Sequence, residues 1–162
     1  MSSPRASQTE FSSQAVMTEL VLPGHTNSLD SIFGGVIMSW IDICAAIAAQ
    51  RHAGCEVVTA SMDQMSFIAP VFKGWVVNLK ASVNFVSRTS MEVGVRVDAE
   101  NPRTRKFFHT ASAYLTFVAL GPDGKPTPVR SLKLETEEQK RRWKAAEKRR
   151  NQRLLQRAEA KV

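Results

Sequence analysis

Cysteine is scarce in this 162-residue chain, and the two residues present do not cluster. Cys44 and Cys55 have no CxxC neighbour and no Cys/His group beside them, which excludes a disulfide scaffold and argues against structural zinc. Two free thiols in a reducing cytoplasm are expected. No apolar run approaches the roughly 18–20 residues of a membrane-spanning helix. The densest stretch, Val36 to Ala49, is too short and carries Asp42. The N-terminal "MSSPRASQTEFSSQ" lacks the apolar core of a secretory signal, and its polar, Ser-rich composition predicts disorder over 1–13. There is no internal repeat. A single domain with a real core fits this length.

The body of the chain also lacks net charge. The overall balance is +7, from 22 Lys/Arg against 15 Asp/Glu. From Arg130 onward there are 12 basic and 5 acidic residues, which leaves 10 of each before it. A neutral domain over 14–130 is therefore followed by a basic tail over 131–162. Nucleic-acid binding by the domain itself is disfavoured. Binding through the tail is a rival reading, although a charged helix more often serves solubility or assembly. "Thr136-Glu-Glu-Gln139" has capping-box spacing, so the tail is expected to be helical and mostly solvated.

What is present is a change of period. "AVMTELVL" over 15–22 reads as a strand closed by Pro23-Gly24, and the loop "HTNSLDSI" leads to Gly34-Gly35. A helix then runs to about His52 and stops at Gly54. From there apolar residues alternate. Trp75, Val77, Leu79, Ala81, Val83 and Phe85 share one face, as do Met91, Val93, Val95 and Val97. "VVTASMDQMSFIAP" and "KFFHTASAYLTFVAL" read as two further strands, and "GPDGKP" as a turn. The order is one strand, one long helix, then four strands. A helix apolar on almost every side needs cover on almost every side, which a curved antiparallel sheet would supply. Leftover apolar surface would invite a second subunit.

Within that helix Asp42 is the only charged side chain between Asp30 and Arg51. An isolated carboxylate in apolar surroundings is costly unless something compensates, so it is a candidate for chemistry. Taken alone, it is more often a structural hydrogen-bonder. Ser31 and Ser39 have no matched His–acid partner, which disfavours a serine triad. His25 reads as a solvated loop residue and His109 as a packed or interfacial strand residue.

Four segments in order, "TNSLDSIFGGVIMSWID", "VTASMDQMSFIAPVFKGW", "SRTSMEVGVRVDAE" and "TASAYLTFVALGPDGKPTPV", resemble the hotdog-fold acyl-CoA thioesterases. The resemblance is to the branch of short bacterial acyl-CoA hydrolases and the tandem-domain cytosolic acyl-CoA hydrolases of animals. It covers roughly residues 14–150 and includes the charged tail beginning "LETEEQKRRW". It implies an α+β hotdog fold, a curved antiparallel sheet wrapped around one long helix, with a charged C-terminal helix added. It implies hydrolysis of acyl-CoA to free fatty acid and CoA in a cytoplasmic homodimer, expected to assemble as a trimer of dimers (a hexamer). Phe33 stands where many members carry His before Gly-Gly, which removes an imidazole from that place.

By the resemblance, Asn27 of one subunit faces Asp42 of the other. Asp42 would act as general base, or as nucleophile through an anhydride. Asn27 would orient water or polarise the thioester. Gly35, with the N–H of Val36, would bind the thioester oxygen at the helix N-terminus. Arg88, Thr89 and Ser90, and separately Arg103, Arg105 and Lys106, are candidates for the phosphates of CoA. Met62, Met65 and Phe67 are candidates for the acyl pocket. Neither a metal nor a redox cofactor is implied, and CoA enters only as part of substrate and product. A non-catalytic acyl-CoA-binding or regulatory hotdog protein is the alternative. The hotdog dehydratases are disfavoured, because they rely on a catalytic His that this helix lacks.

Overall fold

In the computed structural model, which describes residues 13–63 and 65–160, the alternating segments are strands of one antiparallel sheet. Strand β1 (Gln14–Leu20) and a short 3₁₀ turn at Pro23–His25 precede helix α1 (Gly34–Ala53). Strands β2 (Glu56–Met62), β3 (Ser66–Phe67), β4 (Val76–Val86), β5 (Ser90–Asn101) and β6 (Lys106–Leu120) follow, then helix α2 (Glu137–Glu159). The disorder expected for the N-terminal segment falls almost wholly outside the described residues. The strand order is β1-β4-β5-β6-β2, with β3 also pairing β6. The long apolar run at 57–70 is thus two strands along one edge, not a single strand.

The sheet curls around α1. Register shifts at 59/61, 83/85 and 97/98 are bulges that bend and twist it. α1 buries Ile37, Trp40, Ile41, Cys44, Ala45, Ala48, Ala49 and His52 against the concave face. Small partners there, including Ala81, Ala99, Ala111, Ala113 and Ala119, let the helix lie close to the strands. Gly54 ends α1 as expected, in the left-handed region at φ 68° with its N–H on the Gln50 carbonyl. Both cysteines are free. Burial pushes the Cys44 thiol above its ordinary pKa.

The alternation read for β4 holds only to Val83. Asn84 is the extra residue of a bulge, so Phe85 turns away from the core face to meet Trp143 of α2, with ring centroids 4.4 Å apart. Trp75 precedes the strand and stacks on Phe108 instead. The tail is helical and mostly exposed, as expected, with one face set against the sheet. Its capping box at Thr136 and Gln139 forms, and α2 docks on the convex face and buries Ala146. Glu92, only 2% exposed, lies beneath it and accepts from Arg149 at 2.7 Å and Arg153 at 3.3 Å. Arg153 also reaches Asp63 at 2.8 Å, and the Arg149 guanidinium sits 3.6 Å over the Tyr114 ring. A buried carboxylate is tolerable only while such partners remain. Glu92→Ala is therefore expected to cost about 3 kcal/mol in urea unfolding and to expose α2 amides to hydrogen exchange.

The C-terminus of α1 is tied down by a neutral histidine. His52 Nε2–H donates to the Arg130 carbonyl at 3.1 Å, which leaves Nδ1 to accept from Ser13 Oγ at 2.8 Å. Burial lowers its pKa from the usual 6.5, more than the Arg130 carbonyl raises it. The unfolded chain therefore binds this proton more readily. The stabilisation is complete above pH 6.5 and is lost as pH falls through that range. Urea midpoints measured at about pH 7.5 and about pH 5 should differ less in His52→Gln than in the native protein.

Candidate active site

Asp42 lies at the margin of the sheet, where α1 runs beside the edge strand β2. Thr59 alternates with Val57 and so stands on the concave side, just before the bulge at Ala60, and its hydroxyl donates to Asp42 Oδ1 at 2.7 Å. Within one subunit the carboxylate is half-buried, not sequestered on all sides as its apolar sequence context suggests. The reason is topological: among the described residues no strand pairs the outer edge of β2. Apolar side chains are bare nearby, among them Ile43 at 50% and Phe67 at 47% exposed. Thr59 was not among the residues singled out in sequence. The one available signal, a hydroxyl among aliphatics on a strand, is weak.

The helix start is open. Phe33 supplies no side-chain cap. Val36 N–H donates to the Phe33 carbonyl at 3.0 Å, so it is not available to a thioester oxygen as the sequence reading supposed. The N–H groups of Gly34 and Gly35 have no hydrogen-bond partner among the described residues. Nothing lies within 4 Å of where a Gly35 side chain would begin. A cavity of about 280 Å³ adjoins, lined by Gly34, Ile37, Phe67, Ile68 and neighbours. Of the three acyl-pocket candidates only Phe67 lines it. Met62 and Met65 pack against the core.

Asn27 sits in the loop before α1 with its orientation fixed locally. Its Oδ1 accepts from Leu29 N–H at 2.9 Å and from Ser31 Oγ at 3.1 Å. Assigned by that network, the outward group is the NH₂, a donor. His25 is a partly exposed loop residue, accepting from Leu22 N–H at Nδ1 and standing edge-on to Trp40. His109 bridges Asp98 and Ser112 on the sheet surface.

The two sets of candidate phosphate contacts are not brought together. Arg88, Thr89 and Ser90 precede or begin β5, whereas Arg103, Arg105 and Lys106 follow its end, on the order of 35 Å apart along the strand. The carbonyls of Arg88 and Thr89 are held by Val129 and Ala119 N–H. At the other tip, Arg105 adopts φ 57° to close the hairpin. Among the described residues, no helix is long and apolar enough to cross a membrane.

One long helix cupped by a curved antiparallel sheet, with polar groups at the open edge and at the helix entrance, is a hotdog fold. Residues 29–106 match the thioesterase superfamily. The chain is 44% identical over 127 residues to the uncharacterised acyl-CoA thioester hydrolase YkhA of Bacillus subtilis, covering 78% of this chain and 74% of that one. It is 38% identical to the cytosolic acyl coenzyme A thioester hydrolase of Rattus norvegicus, covering 81% of this chain and 35% of that longer protein. The chain belongs to the thioesterase superfamily. Among solved structures it is similar to the acyl-CoA hydrolase of Staphylococcus aureus in complex with butyryl coenzyme A, coenzyme A and coenzyme A disulfide. The TM-score is 0.85 at 37% identity, over 92% of this chain and 91% of that one. Alanine variants of that hydrolase at an Asp, a Thr and an Asn have also been solved. A hexameric acyl-CoA thioesterase in its apo form superposes with TM-score 0.86 at 41% identity, over 90% of this chain and 94% of that one.

Gly35 occupies helix backbone with open space around it. Gly35→Ala is expected to fold with thermal stability equal to or up to about 1 kcal/mol above the native protein. A marked loss of stability would show that the glycine is needed for the fold itself.

Proposed function

We propose that the protein hydrolyses acyl-CoA thioesters to free acid and CoA, in a homodimer whose two sites are each completed by both subunits. The observation that carries this is the Asp42–Thr59 hydrogen bond at an unpartnered sheet edge, flanked by bare apolar side chains. Thr59 occupies one carboxylate oxygen and fixes the group's rotation, which leaves the other oxygen to take a proton from water. The water oxygen attacks the thioester carbon, and the carbon–sulfur bond breaks to release CoA thiolate. Because the Asn27 carbonyl oxygen is held by its own loop, its NH₂ is the working end. It donates to the thioester carbonyl or to the attacking water from the facing subunit. Gly35 N–H is the second donor for the developing oxyanion.

The acyl chain would start into the cavity between Gly34, Ile37, Phe67 and Ile68. The coenzyme's phosphates would meet one of the two basic hairpin sets, since one subunit does not offer both at one place. The Asp, Thr and Asn replaced in variants of the Staphylococcus hydrolase are the three residue types this reading uses. Assembly beyond the dimer is read as a hexamer, the form named for a similar thioesterase. Two free thiols accord with a cytoplasmic setting.

Release of free thiol from a panel of acyl-CoAs tests the reading. Asp42→Asn should lower kcat by about 10²–10⁴-fold with the fold intact. Thr59→Val should lower it by about tenfold or more by freeing the carboxylate to rotate. Full turnover by a folded Asp42→Asn protein would remove the mechanism. CoA-ester binding without thiol release by the native protein would favour a non-catalytic binder.

A further inference from the structure

The convex face of the sheet, opposite α1, holds a second cavity roofed by α2, of about 470 Å³. Its floor contains an arrangement that packing alone does not explain. Asn84, the extra residue of the β4 bulge, is only 4% exposed, yet its side chain lines the cavity and makes no hydrogen bond to a described residue. Among the described residues the fully enclosed polar side-chain atoms without a partner are Ser61 Oγ and Thr116 Oγ1, so the Asn84 amide is left open to the cavity, where it can meet a ligand. The neighbouring strand makes room for the amide. A Cβ on Gly94 would fall 2.5 Å from Asn84 Nδ2, so only glycine permits the amide to lie there.

The walls are cationic. Lys80, Arg96, Arg141, Arg142 and Arg149 line the cavity with one acid, Glu138. Arg149 is engaged by Glu92, and Arg96 by Asp98. Arg141 and Arg142 share Glu138, and Lys80 has no ion pair among the described residues. Two positive charges are therefore left over among the described residues that line the cavity. Arginine and lysine around an amide donor suit phosphate oxygens. The volume is that of a small-molecule site and far exceeds one orthophosphate.

We infer that this cavity between Asn84, Lys80 and the Arg141–Arg142 turn of α2 is a binding site for a phosphorylated small molecule. Asn84 is its buried hydrogen-bonding group and Lys80 its free cation. The ligand is either a free phosphorylated compound or the phosphorylated end of a coenzyme, and the two share the chemistry recognised here. The inference does not depend on the hydrolysis proposed above, because binding is read without turnover.

Isothermal titration of the full chain with inorganic pyrophosphate is the test. Saturable binding is expected, weakened about tenfold or more in Lys80→Glu and in Asn84→Asp, and unchanged in Asp42→Asn. Lys80 is exposed, so its variant keeps the test decisive should Asn84→Asp fail to fold. Repeating the titration with CoA present separates the sources: competition assigns the site to the coenzyme's phosphates, and its absence assigns a separate ligand. No saturable pyrophosphate binding, or binding equal in the native protein and Lys80→Glu, overturns the inference.

Discussion

A helix apolar on every side, cupped by a sheet that covers only one of them, is the constraint from which the rest of this molecule follows. The concave face of β1, β4, β5, β6 and β2 takes Ile37, Ile41, Cys44, Ala45 and Ala48. Among the described residues Met38 and Ile43 are left exposed, and the outer edge of β2 has no strand partner. Exposed edges and apolar flanks of this kind are ordinarily covered. Asp42 sits on the line between the covered and uncovered sides. Its partner Thr59 comes from the edge strand and not from the interior. The proposed chemistry lies at that seam because there a carboxylate can be anchored by its own chain and desolvated by another.

The two faces of the sheet carry different burdens. The concave face is aliphatic and holds the helix by packing. The convex face holds α2 largely through charge: a nearly buried glutamate held by two arginines, one of which also covers a tyrosine ring. Arg153 meets Glu92 and Asp63 together, which ties α2 to two places on the domain at once. It also explains why a basic tail belongs to a neutral domain. Part of its charge is consumed in docking, and part faces the cavity above Asn84.

Much of this was legible in the chain, and the failures have a common cause. β4 and β5 each bury one face, so Val77, Leu79, Ala81 and Val83, and then Met91, Val93, Val95 and Val97, declared the core directly. Gly54 declared the end of α1. The bulges did not declare themselves, since they arise from pairing and leave no local mark. Periodicity alone therefore puts Phe85 on the wrong face. The docking of α2 depends on Glu92, more than fifty residues from its arginines in sequence, and local periodicity cannot reveal that. Asp42 stood out by itself as a lone charge. Asn27 and Gly35 were identified only through the resemblance to known thioesterases, because a loop Asn and a helix-entry glycine are ordinary in isolation.

The central claim is that each site joins Asp42 of one subunit to Asn27 of another. It is tested most directly by mixing two inactive proteins, Asn27→Ala and Asp42→Ala, under conditions that allow subunit exchange. A mixed dimer then has one site lacking both groups and one site lacking neither. Equal mixing should restore about a quarter of native thioester hydrolysis, while each variant alone stays inactive. No recovery, despite demonstrated exchange of subunits, would contradict a shared site.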